Sequence, residues 1–115
     1  MKIKKIKSKI KNLKFGINCT IIEPSNIYGS KFGKNVFIGP FVEIQKNSYI
    51  GDNTRVQSHS FICEKVKIGK NCTVMEPSNI YGSKFGKNVF IGPFVEIQKN
   101  SYIGDNTRVQ SHSFI

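Results

Sequence analysis

From Phe15 onward, large apolar residues recur along the chain at Phe15, Ile21, Ile27, Phe32, Ile38, Ile44, Ile50, Val56, Ile62, Ile68, Val74, Ile80, Phe85, Ile91, Ile97, Ile103, Val109 and Ile115. The spacing is six throughout, except for five at Ile27–Phe32 and Ile80–Phe85. Two places before each of these, from Cys19 to Ser113, stands a Cys, Ser, Thr or Val. Residues two apart in an extended chain point the same way, so each small–large pair marks a short strand facing one shared interior. A helix would need a 3.6-residue period, which this stretch lacks. The pattern therefore predicts an all-β chain: a parallel β-helix solenoid of six-residue sides, wound into about five to six triangular coils.

The three-sided coil is visible in a second pattern. Every third side opens with Phe-Gly or Ile-Gly, giving Gly16, Gly33, Gly51, Gly69, Gly86 and Gly104. Two places further on stand Asn18, Asn35, Asn53, Asn71, Asn88 and Asn106. Gly and Asn both tolerate positive φ, so this column predicts a corner. Residues 23–62 and 76–115 are the same 40 letters, offset by 53. That offset is nine sides with one shortened, or three whole coils. The joint stays in register, because FGINCTIIEPSN at 15–26 aligns with IGKNCTVMEPSN at 68–79. The repetition should lengthen the solenoid without breaking it. Its perfect identity points to recent or deliberate copying, natural or engineered.

Residues 1–14 stand apart from the 15–115 repeat. Ile3, Ile6, Ile10 and Leu13 recur at three and four, which predicts a short basic amphipathic helix covering the open first coil. A helix for anionic surfaces is the competing reading, although the segment lacks aromatic anchors, and disorder is the third. The formal net charge is +11, and seven of the 18 basic residues are lysines of this segment (Lys2, Lys4, Lys5, Lys7, Lys9, Lys11 and Lys14). The remainder carries 11 basic and 7 acidic residues, or +4, so no specific nucleic-acid partner is expected of the body.

No apolar run approaches the roughly 20 residues of a membrane span, and no signal-peptide pattern is present, so a cytoplasmic location is expected. Cys19, Cys63 and Cys72 are odd in number and have no zinc-ligand spacing; they read as reduced, buried side chains. Three coils separate Cys19 from Cys72, about 14 Å, too far for a disulfide.

Sides such as IGPFVE, IGDNTR and IGKNCT resemble the hexapeptide-repeat acyltransferases, over residues 15–72 and again in the second copy. The stretch from EPSN at 23 to IGKNC at 72 is most similar to the nucleotide-sugar N-acetyltransferases. The resemblance implies a left-handed β-helix and a homotrimer with active sites in grooves between neighbouring prisms. It also implies acetyl-CoA as co-substrate, a nucleotide-linked amino sugar as acceptor and a histidine as general base. The family's His-bearing side has no counterpart here; Pro40 and Pro93 occupy that place in IGPFVE.

The candidate bases are His59 and His112, copies of each other in VQSHSF, both expected to point outward. An imidazole suits proton removal from an amine near neutral pH, and an exposed, solvated histidine is the plainer reading. Glu43 and Glu96, in PFVEI, are the carboxylates that could orient them. Two histidines fall short of a three-His metal site, so no metal is expected. Four threonines are too few for the Thr ladders of an ice-binding β-helix. Two functions stay open: a sugar N-acetyltransferase, and a non-catalytic β-helix scaffold that self-assembles. End-to-end association is expected as well, because Ile115 opens a side with nothing after it to cover the last coil.

Overall fold

A computed structural model describes residues 8–115, with seventeen short strands among them. All pair in parallel on three faces of a solenoid of about six turns, 49 × 30 × 20 Å in extent. The winding is that of a left-handed β-helix. The first face carries β1 (Lys9–Lys11), β3 (Asn26–Tyr28), β6 (Glu43–Ile44), β9 (Phe61–Ile62), β12 (Ser78–Ile80) and β15 (Val95–Ile97). The second face carries β4 (Lys31–Phe32), β7 (Tyr49–Ile50), β10 (Lys67–Ile68), β13 (Lys84–Phe85) and β16 (Tyr102–Ile103). The third face carries β2 (Thr20–Ile21), β5 (Phe37–Ile38), β8 (Arg55–Val56), β11 (Thr73–Val74), β14 (Phe90–Ile91) and β17 (Arg108–Val109).

The six-residue period becomes the interior. Ile27, Ile44, Ile62, Ile80 and Ile97 form one fully buried column, and the other two faces contribute similar columns. Each such side chain adds roughly 1.5–3 kcal/mol when fully buried. Phe15 and Ile115 depart from the expected set, at 65% and 40% exposure. Both lie in the first and last described coils, which among the described residues have a neighbouring coil on one side only. Several of the small inward residues also bond between coils. Ser25 Oγ donates to the carbonyl of Gly39 (3.1 Å), Ser48 Oγ to Cys63 (3.1 Å) and Thr54 Oγ1 to Gly69 (2.9 Å).

The corner column splits into two roles. Asn18, Asn35, Asn53, Asn71, Asn88 and Asn106 all take φ between 57° and 61°. Their glycine neighbours do not enter that region; what they need is room. A Cβ on Gly51 would lie 2.5 Å from the carbonyl carbon of Gly69, and one on Gly69 would lie 2.3 Å from the carbonyl oxygen of Gly86.

The helix expected over residues 1–14 is corrected for the described part. Residues 9–11 form β1, with Lys9, Ile10 and Lys11 in register with Asn26, Ile27 and Tyr28. Lys14 bridges to Lys31. Residues 1–7 lie outside the described residues. A helix of a dozen residues is marginal in water, whereas the edge of β3 offers a row of unpaired backbone groups. The signal was present in the sequence. Ser8 and Ile10 repeat the small–large pair, and Ile10 precedes Phe15 by five, as Ile27 precedes Phe32. Among the described residues, no helix is long and apolar enough to cross a membrane.

Candidate active site

Between the third and first faces the chain turns through Phe41, His59, Phe94 and His112, all at φ of 57–62°. Left-handed backbone is unfavourable for residues with a Cβ and uncommon for an aromatic. It is held here by bonds to the coil before. The Phe41 amide donates to the Pro24 carbonyl (2.6 Å), and the His59 amide donates to that of Pro40 (3.2 Å). The second copy repeats this from Phe94 to Pro77 (2.7 Å) and from His112 to Pro93 (3.1 Å).

This geometry throws the side chains outward and stacks them. The rings of Phe41 and His59 lie 5.0 Å apart at 18°, and those of Phe94 and His112 lie 5.0 Å apart at 12°. One coil further on, Glu76 places Oε2 3.7 Å from His59 Nδ1, and the Ser58 hydroxyl donates to the same oxygen. Phe41, Ser58, His59 and Glu76 thus form a single cluster. The His59 side chain is 61% exposed, so the charge pair adds little to stability. Its consequence is orientation: one ring nitrogen faces a carboxylate, and Nε2 makes no hydrogen bond among the described residues.

His112 has the stacked phenylalanine but, among the described residues, no carboxylate within 4 Å. The expected partners Glu43 and Glu96 do not reach the histidines. Each instead accepts a hydrogen bond from a glutamine on its own strand's continuation, Gln45 or Gln98. Glu76 and Phe41 carry no local signal, because neither lies near His59 along the chain. The coil length would have found them, since Glu76 is 18 residues after Ser58 and Phe41 is 18 before His59.

Two shallow depressions are present, neither of them lined by His59. One of about 490 Å³ is lined by Cys63, Glu64, Lys65, Tyr81, Gly82, Lys99 and Asn100, at the corner between the first and second faces. Another, of about 220 Å³, is lined by Pro77, Asn79, Phe94, Val95 and Glu96. Cys19, Cys63 and Cys72 are free thiols, and burial pushes the Cys72 thiol up, which keeps it protonated and unreactive. Among the described residues, no three His, Cys, Asp or Glu side chains gather as a metal site.

Comparison with known proteins places this solenoid. The crystal structure of a mutant perosamine N-acetyltransferase from Caulobacter crescentus, in complex with CoA and GDP-perosamine, has a similar fold, with a TM-score of 0.74. Identity to it is 12%, and the match covers 90% of this chain and 54% of that one, so the chain spans about half the enzyme's length. At that identity the likeness establishes the fold. No curated protein sequence matches. A family model described as the GMPPB C-terminal domain matches residues 17–115, the whole solenoid but its first coil edge. On that match, the chain belongs to the GMPPB C-terminal domain family.

Proposed function

We propose that this chain transfers acetyl from acetyl-CoA to the amine of a nucleotide-linked amino sugar, with His59 as general base, in the groove between prisms of a homotrimer. The observation that carries the reading is the His59–Glu76 pair, braced by Ser58 and stacked on Phe41, a base–orienter arrangement that a bare scaffold does not require. The fold is also shared with an enzyme described with CoA and GDP-perosamine. In the reaction, the acceptor amine attacks the thioester carbonyl carbon while His59 Nε2 takes an amine proton. The C–N bond forms, the C–S bond breaks, and the CoA thiolate recovers the proton from the imidazolium. Glu76 holds the Nδ1 side of the ring and stabilises the cation as it forms. His112, without such a carboxylate, is the lesser candidate.

A second reading is a self-assembling, non-catalytic scaffold. It is favoured by the open setting of His59, which borders neither depression. Calorimetric titration of acetyl-CoA separates the two. The enzyme reading expects saturable binding at roughly one site per chain. It also expects His59→Ala to lower turnover about 10²–10⁴-fold while donor affinity holds, and His112→Ala to change neither. Absence of saturation up to millimolar donor leaves the scaffold.

A further inference from the structure

The modest charge of the solenoid body conceals strong polarisation. On the second face, Lys14, Lys31, Lys67 and Lys84 stand in one outward row, in register with Tyr49 and Tyr102. Lys34, Lys70 and Lys87 follow the glycines of the corner on one side of this face. Lys46, Lys65 and Lys99 occupy the corner on the other side. All ten are exposed. Among the described residues the one charge pair within 4 Å is His59–Glu76, so none of these lysines forms an ion pair.

Three acids share this side: Glu64, beside Lys65 and Lys99 at one corner, and Asp52 and Asp105, which accept from the backbone amides of Lys34 and Lys87 at the other. The other four, Glu23, Glu43, Glu76 and Glu96, lie on the first face or on its corner with the third.

The register makes this arrangement unfavourable in isolation. Lys14 lies directly beside Lys31, and Lys67 beside Lys84, and like charges directly opposite in a sheet destabilise it. Coils stack about 4.8 Å apart, so the lysines form three parallel rows across a plane. A linear polyanion would engage one row at a time. A planar array of cations instead complements a planar array of anions, and tyrosines among the lysines suit the boundary between water and headgroups.

We propose that the second face is a docking surface for an anionic lipid bilayer, to which the solenoid adsorbs through these lysines without inserting. The face is too basic to pack against the same face of a second copy. Lys2, Lys4, Lys5 and Lys7 add charge of the same sign.

The test is co-sedimentation of the full chain with phosphatidylcholine vesicles, with and without phosphatidylserine. Binding is expected to the anionic vesicles alone and to fall as salt is added. The K31E/K67E/K84E variant should bind roughly a hundredfold or more weakly, while its circular dichroism and sedimentation in solution stay unchanged. A variant with Lys2, Lys4, Lys5 and Lys7 changed to Gln should keep most of the binding. The proposal is overturned if that second variant loses binding while K31E/K67E/K84E retains it, since adsorption then belongs to the N-terminal segment. It is equally overturned if neutral vesicles bind as well, or if vesicles are ignored while an oligothymidylate binds the second face.

Discussion

In the first copy of the 40-residue segment, Ile50 and Val56 are fully buried and Gly51 lies against the backbone of Gly69. In the second, Ile103 and Val109 each keep 7% exposure, and a Cβ on Gly104 would meet nothing closer than the Tyr102 ring, at 3.9 Å. His59 faces Glu76, and His112 has no such partner among the described residues. The letters are identical, so every one of these differences comes from the neighbouring coil. In a solenoid each coil contacts only the coils beside it, and the last coil of the first copy is covered by residues 63–75 and the start of the second copy. A side chain's direction is therefore written locally, whereas its burial and its partner are not.

The comparison can be broken by paired substitutions at matching positions. The largest effect is expected in the core. Ile50→Ala should cost about 4 kcal/mol and Ile103→Ala about 2 kcal/mol in denaturant unfolding, because the outer position has fewer neighbours to leave a cavity among. Equal losses would mean that the two copies are packed alike.

The corner glycines come next. Gly51→Ala should destabilise by about 3 kcal/mol, since the new methyl overlaps the Gly69 backbone. Gly104→Ala should be neutral or stabilising by about 0.5 kcal/mol, through loss of unfolded-state freedom. Thermal melts of the two variants, side by side, decide this.

Inward serines should show a smaller contrast, with reversed sign. Ser60 Oγ is buried without a partner, so Ser60→Ala should gain about 1 kcal/mol. Ser113 Oγ donates to the Gln110 carbonyl at 2.8 Å, and Ser113→Ala should lose about 0.5 kcal/mol. A loss at Ser60 would show that its hydroxyl has a partner after all.

The smallest effect concerns Cys72, whose thiol burial raises above its ordinary value of 9.0. The folded state then holds that proton where the unfolded state has released it. Stability contributed by the thiol is complete below pH 9.0 and is lost as pH rises toward the folded-state value. Cys72→Ala should flatten the alkaline limb of a stability-versus-pH curve, and thiol labelling should reach the half-buried Cys19 and Cys63 first.

Much of the fold could be read directly from the chain. The columns of Ile27, Ile44 and Ile62, the small residues two places before them and the corner asparagines all follow from a repeat of six. The first strand is ambiguous in the sequence, because Ile3, Ile6, Ile10 and Leu13 also fit a helix. The available edge of β3, which lies outside the segment itself, decides for pairing at residues 9–11. At the candidate site, the outward placement of His59 was legible from its position in the side. Its partner was not, because Glu76 arrives from the next coil.

By itself, then, the sequence determined the six-residue period, the inward and outward sets, the three-sided coil and the continuity across residues 68–79. These depend on strand alternation and turn preference, which act over a few residues. The tertiary structure alone decided that Glu76 rather than Glu43 meets His59, that Gly51 needs its bare Cα while Gly104 does not, and that lysines scattered through the sequence share one face. Those outcomes depend on which coil lies against which, about 17 or 18 residues away along the chain, where stacking distance and not sequence distance sets who touches whom.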